Sequence, residues 1–312
     1  MKNFLLIGPD DWTATDGFIV NGIKNILAEA FGEYSYHYFR IPNDNDMPSR
    51  CIPNGTFDGI IVCGTPWLWD QFHKSPKWRN LIAIFFYYMD VPKLFCGIGT
   101  CLNFGDESTE ILNRKSEIGA IKQTYSNATI IVREKVAQNK LLNAKVESFL
   151  FPCPAFYSEK PTPLGSNNVL VWANPEKTIS GTYWKNNLEK LNKLKNLISF
   201  YIEEYKPLIV RANIDEDDLT GQYVYCLGTR ERAVDVFKDA HTVLSMRVHC
   251  AVPALSMGRK VGLIPLDSRA NTLWPGGGMV NEVDDFKYIA NDLVNLDRYL
   301  NKYVNVFKEC FK

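Results

Sequence analysis

The feature that most limits the fold of this chain is a regular alternation between short apolar runs of strand length and segments whose apolar residues recur at helical spacing. Residues 3–8 (Asn-Phe-Leu-Leu-Ile-Gly) are such a run, and Phe18, Ile19, Ile23, Ile26, Leu27 and Ala30 then follow a helical period behind Asp16, a capping candidate. The same reading places strands over 34–41, 58–63, 92–99, 129–133 and 146–151. Helices are expected over 76–89, around 108–125 and over 134–142. Strands that are apolar on both faces and separated by helices belong to parallel sheets covered on both sides.

The rhythm stops at 151–168, where Pro152, Pro154, Pro161 and Pro163 stand among Gly165, Ser166, Asn167 and Asn168. It then restarts, with strands over 169–173, 207–211, 223–227, 242–246 and 260–266 and helices over 230–238 and 248–257. Trp184, Leu188, Leu191, Leu194, Ile198, Tyr201, Ile202 and Tyr205 form one apolar stripe, which predicts a single long helix. A last amphipathic helix is expected from about Asp285, carrying Ile289, Leu293, Leu296, Tyr299, Leu300, Tyr303, Val306 and Phe307. At 312 residues the chain has room for two domains of ordinary size. The expected division is a doubly wound α/β domain over 1–155, a second over 156–284 and a terminal helix over 285–312, with a cleft between the two domains.

Composition then removes several functional classes. Lys and Arg number 35, as do Asp and Glu, so no basic excess exists to neutralise a run of phosphates and no nucleic-acid partner is expected. The apolar stretch over 81–89 falls well short of the roughly 20 residues that span a bilayer, so no transmembrane segment is expected. The first residues lack the pattern of a secretory leader. None of the 8 cysteines forms a CxxC pair. Neither a metal site nor a disulfide scaffold is expected, and reduced thiols suit a cytoplasmic protein.

In open α/β sheets, ligands bind beyond the carboxyl ends of the strands, where helix N-termini present free N–H groups. In the first half this rule selects Asp10, Asp11 and Asp16 after the first strand, Gly64, Thr65 and Trp67 after the third, and Gly99 and Thr100 after the fourth. In the second half it selects Asn174, the segment Ser245-Met246-Arg247-Val248-His249, and Arg269. That segment is the most pointed of these: a guanidinium clamps a phosphate or carboxylate at two points, and an imidazole moves a proton near neutral pH. The residues alone also accommodate a structural role, with Arg247 in an interdomain ion pair and His249 bonded to a backbone carbonyl. Gly97-Ile98-Gly99 lacks the third glycine of a dinucleotide fingerprint, and Gly276-Gly277-Gly278 reads equally as a phosphate nest or a plain loop. Trp12, Trp67, Trp69 and Trp78 offer faces for sugar stacking or for core packing.

Taken in order, these segments resemble the polysaccharide pyruvyl transferase family. Asp239-Ala240-His241-Thr242-Val243-Leu244-Ser245-Met246-Arg247-Val248-His249 is similar to the family's strand ending in Ser-x-Arg-x-His. Ala254-Leu255-Ser256-Met257-Gly258, Lys260-Val261-Gly262-Leu263-Ile264 and Asp267-Ser268-Arg269 continue it in register. Ile130-Ile131-Val132-Arg133-Glu134 and Pro154-Ala155-Phe156 look like its strand-Arg-Glu element and its later Pro-Ala-Phe. The chain departs from the pattern at Thr15 and Cys250, where glycine is usual, at Cys153, where aspartate is, and at Arg269, where lysine is.

The resemblance implies a GT-B-like pair of Rossmann-like domains with a terminal helix crossing back, and transfer of a pyruvyl group from phosphoenolpyruvate to hydroxyls of a sugar or glycan precursor. It implies that Arg247 and Arg269 hold the donor with Ser245 and Asn174 beside them, and that His249 protonates the donor carbon. Asp16 would serve as base or orienting group on the acceptor side, with Asp10, Asp11, Gly64, Thr65, Trp67, Gly99 and Thr100 around it. No cofactor beyond this donor substrate is called for. A GT-B glycosyltransferase using a nucleotide sugar, and a non-catalytic ligand-binding member, are the alternative readings of the same cleft.

Overall fold

In a computed structural model, residues 1–8, 14, 16–41, 52–69, 72–102, 115–178, 180–212, 225–270, 272, 288–289 and 296–312 are described, and the account below concerns these. The first half contains β1 (Lys2–Gly8), α1 (Asp16–Phe31), β2 (Tyr34–Arg40), β3 (Gly59–Cys63), α2 (Pro76–Tyr87), β4 (Lys93–Ile98), α3 (Lys115–Tyr125), β5 (Thr129–Val132), α4 (Lys135–Asn143) and β6 (Phe149–Leu150). Its strands pair in the order β2-β1-β3-β4-β5-β6, all parallel. Alternate side chains of β1 enter different cores, as the two-residue period of a strand requires. Phe4 and Leu6 pack on the side of α1, and Leu5 and Ile7 on the side of α2.

The second half contains β7 (Asn167–Trp172), α5 (Gly181–Asn186), α6 (Leu188–Tyr205), β8 (Leu208–Arg211), β9 (Tyr225–Cys226), α7 (Arg230–Lys238), β10 (Ala240–Ser245), α8 (Val248–Ser256), β11 (Lys260–Leu263), β12 (Tyr288–Ile289) and α9 (Leu296–Cys310). The order is β12-β11-β10-β7-β8-β9, parallel except that β12 runs antiparallel to β11. Val169, Val171 and Val243 share one apolar cluster with Phe18 and Ile23 of α1, so the two halves are packed through a common core.

Three expectations need correction. The stripe from Trp184 to Tyr205 lies on two helices, because Asn187 takes a non-helical conformation and its side chain donates to Tyr183 O at 2.8 Å, competing with the helical ladder. Residues 288–289 form an edge strand paired with Val261 and Gly262, so Ile289 lies outside the terminal helix, whose described part begins at Leu296; Leu293 falls outside the described residues. The strand expected over 146–151 is only Phe149–Leu150, since left-handed Lys145 turns the chain and Val146 N–H bonds back to Leu141 O at 3.0 Å.

The terminal helix returns to the first half. Tyr303 Oη donates to Pro152 O at 2.6 Å, and the ring of Phe311 meets that of Phe4 at 5.1 Å. Beside it, α1 lies against the 3-10 turn Pro154–Tyr157, fixed by Asn21 Nδ2 to Ser158 O and Asn25 Nδ2 to Tyr157 O, each at 2.7 Å. This approach demands a glycine inside the helix, for a Cβ on Gly22 would stand 1.9 Å from Pro154 O. Glycine costs a helix interior about 1 kcal/mol against alanine, so propensity alone argues for the reverse choice. Gly22→Ala is therefore expected to destabilise the protein by about 3 kcal/mol, read as a lowered thermal unfolding midpoint; an unchanged midpoint would refute the close packing.

Candidate functional site

Both sheets turn the carboxyl ends of their strands toward one cleft. From the first half come Gly8 at the end of β1, Asp16 in the first turn of α1, and the segment after β3 with Thr65, Pro66, Trp67 and Trp69. From the second half come Arg247, His249 and Arg269, and together these walls enclose a cavity of about 290 Å³. That lies near the lower limit of small-molecule sites, which run from roughly 300 Å³ upward. A second, smaller hollow of about 20 Å³ lies behind Arg247 and His249 against Leu263 and Leu266, the space of about one water.

The Arg247–His249 geometry follows from the junction between β10 and α8. Ser245 Oγ donates to Arg247 O at 2.7 Å and accepts from Arg247 N–H at 3.1 Å, so the turn is clasped by its own serine. Arg247 occupies the N-cap position, and its carbonyl accepts from the N–H groups of Cys250 and Ala251, both at 3.0 Å. His249 thus begins a helix, and Pro253 four residues on withholds the N–H that a regular helix would give to the His249 carbonyl. Its Nε2 is sealed from solvent and has no hydrogen-bond partner among the described residues. Burial holds the His249 pKa well below the ordinary imidazole value, and the charges of Arg133, Arg269 and Arg247 press it further in the same direction.

Arg269 is fixed by Asp267, which accepts from its Nε at 2.7 Å and from its backbone N–H at 3.0 Å. This pairing outweighs burial and raises the Arg269 pKa above its ordinary value, with Asp16 on the opposite wall adding to the effect. Asp16 and Arg269 therefore face each other across the cleft.

The third guanidinium, Arg133, received no role from the sequence. It follows β5 directly, is fully buried, and its N–H donates to Ile98 O at 3.0 Å. Its side chain runs under Gly99, where a Cβ would stand 2.7 Å from Nε. The signal that finds it is the rule that selects Arg247, a charged residue at the carboxyl end of an apolar strand. Glu134 beside it is also fully buried. Its Oε1 accepts from both the N–H and the hydroxyl of Thr100, and its Oε2 has no partner among the described residues. Burial raises the Glu134 pKa, against the opposing influence of Arg133 and Thr100. Thr100 Oγ1 lies 3.5 Å from Ser268 Oγ, and Ser268 exchanges two hydrogen bonds with the backbone of Leu102, at 2.9 and 3.2 Å. The seam between the halves thus runs along the floor of the site.

The other selected residues are distributed as follows. Thr65 lines the cavity with φ of 61°, a conformation that β-branched residues avoid and that costs about 1–3 kcal/mol. Gly64 before it has φ of 57°, and a Cβ there would stand 2.4 Å from Ile19. Gly99 and Thr100 lie under the cavity as supports of Arg133 and Glu134. Asn174 caps the 3-10 turn Pro175–Lys177, accepting from Glu176 N–H at 3.0 Å, and does not line the cavity. Asp10, Asp11, Trp12 and Gly276-Gly277-Gly278 fall outside the described residues. The seven described cysteines are unbridged, and no described helix is long and apolar enough to cross a membrane.

Comparison with known proteins agrees with this geometry. The chain superimposes over its whole length on the UDP-GlcNAc 2-epimerase of Neisseria meningitidis bound to UDP-GlcNAc, covering 94% of that chain at 11% identity and a TM-score of 0.50. It also covers 91% of S. aureus MnaA, solved with UDP, with all of this chain aligned at 11% identity and a TM-score of 0.51. At such identities the likeness speaks for the fold, two Rossmann-like domains in the GT-B arrangement. No curated protein matches the sequence. The family model for polysaccharide pyruvyl transferase matches residues 16–268, from the aspartate on one wall of the cleft to the serine of its seam, and the chain belongs to that family.

Proposed function

We propose that the protein transfers a pyruvyl group from phosphoenolpyruvate to hydroxyls of a sugar or glycan precursor. The observation that carries this reading is the meeting of Arg247, Arg269 and His249 at one end of a small cleft, with the buried charge of Arg133 also acting on the imidazole. Phosphoenolpyruvate carries a phosphate and a carboxylate on one carbon, a compact polyanion that needs several guanidinium groups in a confined space. Arg247 and Arg269 bind these groups at the cavity surface, and Arg133 adds positive potential from below.

Burial, and after it the charges of Arg133, Arg269 and Arg247, oppose a proton on His249 and keep it neutral near pH 7. Arrival of the donor reverses the sign of its surroundings and raises its pKa, so the imidazole takes up a proton when the substrate that needs one is bound. His249 then protonates C3 of the enol, C2 becomes electrophilic, and an acceptor hydroxyl adds there while losing its proton to the acceptor-side base, Asp16. Loss of phosphate from C2 leaves an oxocarbenium centre. Attack by a second hydroxyl of the sugar closes a ketal as its proton returns to His249, and the released inorganic phosphate carries away the donor oxygen together with the proton held on Asp16.

The direct test is phosphate release from phosphoenolpyruvate with a panel of sugar acceptors. His249→Ala is expected to lower kcat by about 10²–10⁴-fold, the usual worth of a positioned proton donor. Arg247→Ala is expected to raise the KM for the donor by about 10–100-fold, the loss of one charged hydrogen-bonding clamp. Equal turnover by all three proteins would overturn the assignment, as would thermal stabilisation by a nucleotide sugar and none by phosphoenolpyruvate.

The neutral ground state of His249 gives a second prediction. Between its depressed free value and its raised bound value, donor binding is accompanied by proton uptake, so affinity rises as pH falls. From pH 8.5 to 7, above the second phosphate ionisation near 6, calorimetry in buffers of different ionisation enthalpy is expected to show about one proton taken up per donor bound. The uptake disappears in His249→Ala. Donor binding without a His249-dependent proton would exclude this residue as the acid.

A further inference from the structure

The wall of the cleft opposite the arginines is built with more rigidity than a loop requires. Carbonyls of three consecutive residues are held from behind by buried side chains: Tyr125 Oη donates to Trp67 O at 3.1 Å, and Lys140 Nζ to Leu68 O at 3.2 Å and Trp69 O at 3.4 Å. Lys140 also pairs with Glu117 at 2.9 Å, and both side chains are wholly buried. A buried ion pair contributes little net stability compared with apolar packing. Its distinctive ability here is to give one ammonium to a carboxylate and two carbonyls at once, which holds the backbone in register. The strained Thr65 immediately before belongs to the same wall.

What this framework presents to the cavity is the partly exposed indole of Trp69, backed by the buried Trp67, and one ammonium. The Trp67 and Trp69 rings lie 6.1 Å apart with planes tilted by 32°, and Trp69 is braced edge-on by Phe72. Lys77, from α2, lines the same cavity, and among the described residues its ammonium has no counter-ion. It is the one cation among the described first-half residues that line the cavity, whereas Arg247 and Arg269 line it from the second half. Flat indole faces suit the C–H face of a sugar ring, and a point-charge ammonium suits a carboxylate or phosphoryl group.

We infer that this wall is a subsite for an acidic sugar, whose negatively charged substituent is bound by Lys77 while its ring packs on Trp69. Naming that sugar as the acceptor rests on the pyruvyl-transfer reading; its binding does not. The test is calorimetric titration of the whole protein with a neutral methyl hexoside, a hexuronate and a hexose 1-phosphate, alongside phosphoenolpyruvate. At least one acidic sugar is expected to bind about tenfold more tightly than the neutral one, equivalent to about 1.4 kcal/mol, and the two acidic arms identify which anion is preferred. The preference is lost in Lys77→Gln, kept in Lys77→Arg and kept in Arg247→Ala, with phosphoenolpyruvate binding unchanged in both Lys77 variants. Equal binding of neutral and acidic sugars would overturn the inference, and so would a preference that survives Lys77→Gln or vanishes in Arg247→Ala. If wild type binds no phosphoenolpyruvate yet shows the Lys77-dependent preference, the transfer reading fails and the subsite stands.

Discussion

Guanidinium groups gathered around a single imidazole set the terms for everything near them. Burial first, and then repulsion by these like charges, holds the His249 pKa well below its ordinary value. The cluster persists because carboxylates lie beside it. Asp267 holds Arg269 through both side-chain and backbone N–H groups, Glu134 lies by Arg133, and Asp16 approaches Arg269 from the other wall. Burial pushes the Glu134 carboxyl toward its neutral form, which weakens its share of the compensation. The guanidinium groups are thus only partly compensated by carboxylates.

Keeping such charges together requires a frame that does not spread. The two sheets share one apolar core through α1, and the seam from Glu134 through Thr100 to Ser268 passes directly beneath the cluster. The contact between Gly22 and Pro154 brings α1, and with it Asp16, against the chain that has just left Cys153. Gly99 does the same work for Arg133 by letting its side chain pass under the backbone. Both glycines are positions where absence of a side chain, rather than freedom of φ, is the property used. A shift at either contact would be transmitted to a charged group, because close-packed interiors have little slack.

Much of this was legible in the sequence because it depends on periodicity and on strand ends. The apolar runs that became β1, β3, β4, β7 and β10 are continuous, and an arginine two residues before a histidine at a strand-to-helix junction is conspicuous. What escaped depends on particular side chains or on partners distant in sequence. The stripe from Trp184 to Tyr205 keeps its period across Asn187, so only the bond from Asn187 to Tyr183 O reveals two helices. Ile289 continues the period of the last helix, yet its partner is Val261 on an edge strand, a pairing that local spacing does not encode. Ser245 and Asn174 stand at strand ends as a ligand-binding residue would, and each spends its side chain on its own turn. Arg133 was visible as a residue and hidden as a participant, since nothing local places it beside a histidine far along the chain.

The two cysteines that depart from the family pattern bear on whether the site is competent. Cys250 is fully buried in the common apolar core behind His249, where a thiol behaves as a small hydrophobe. Its side chain therefore does not occupy the cavity. Cys153 is also buried, against the Arg133 guanidinium, and burial raises its thiol pKa in spite of that charge. A neutral thiol in place of a carboxylate removes one compensating charge from beside Arg133. Both cysteines thus lie behind the side chains that line the cavity.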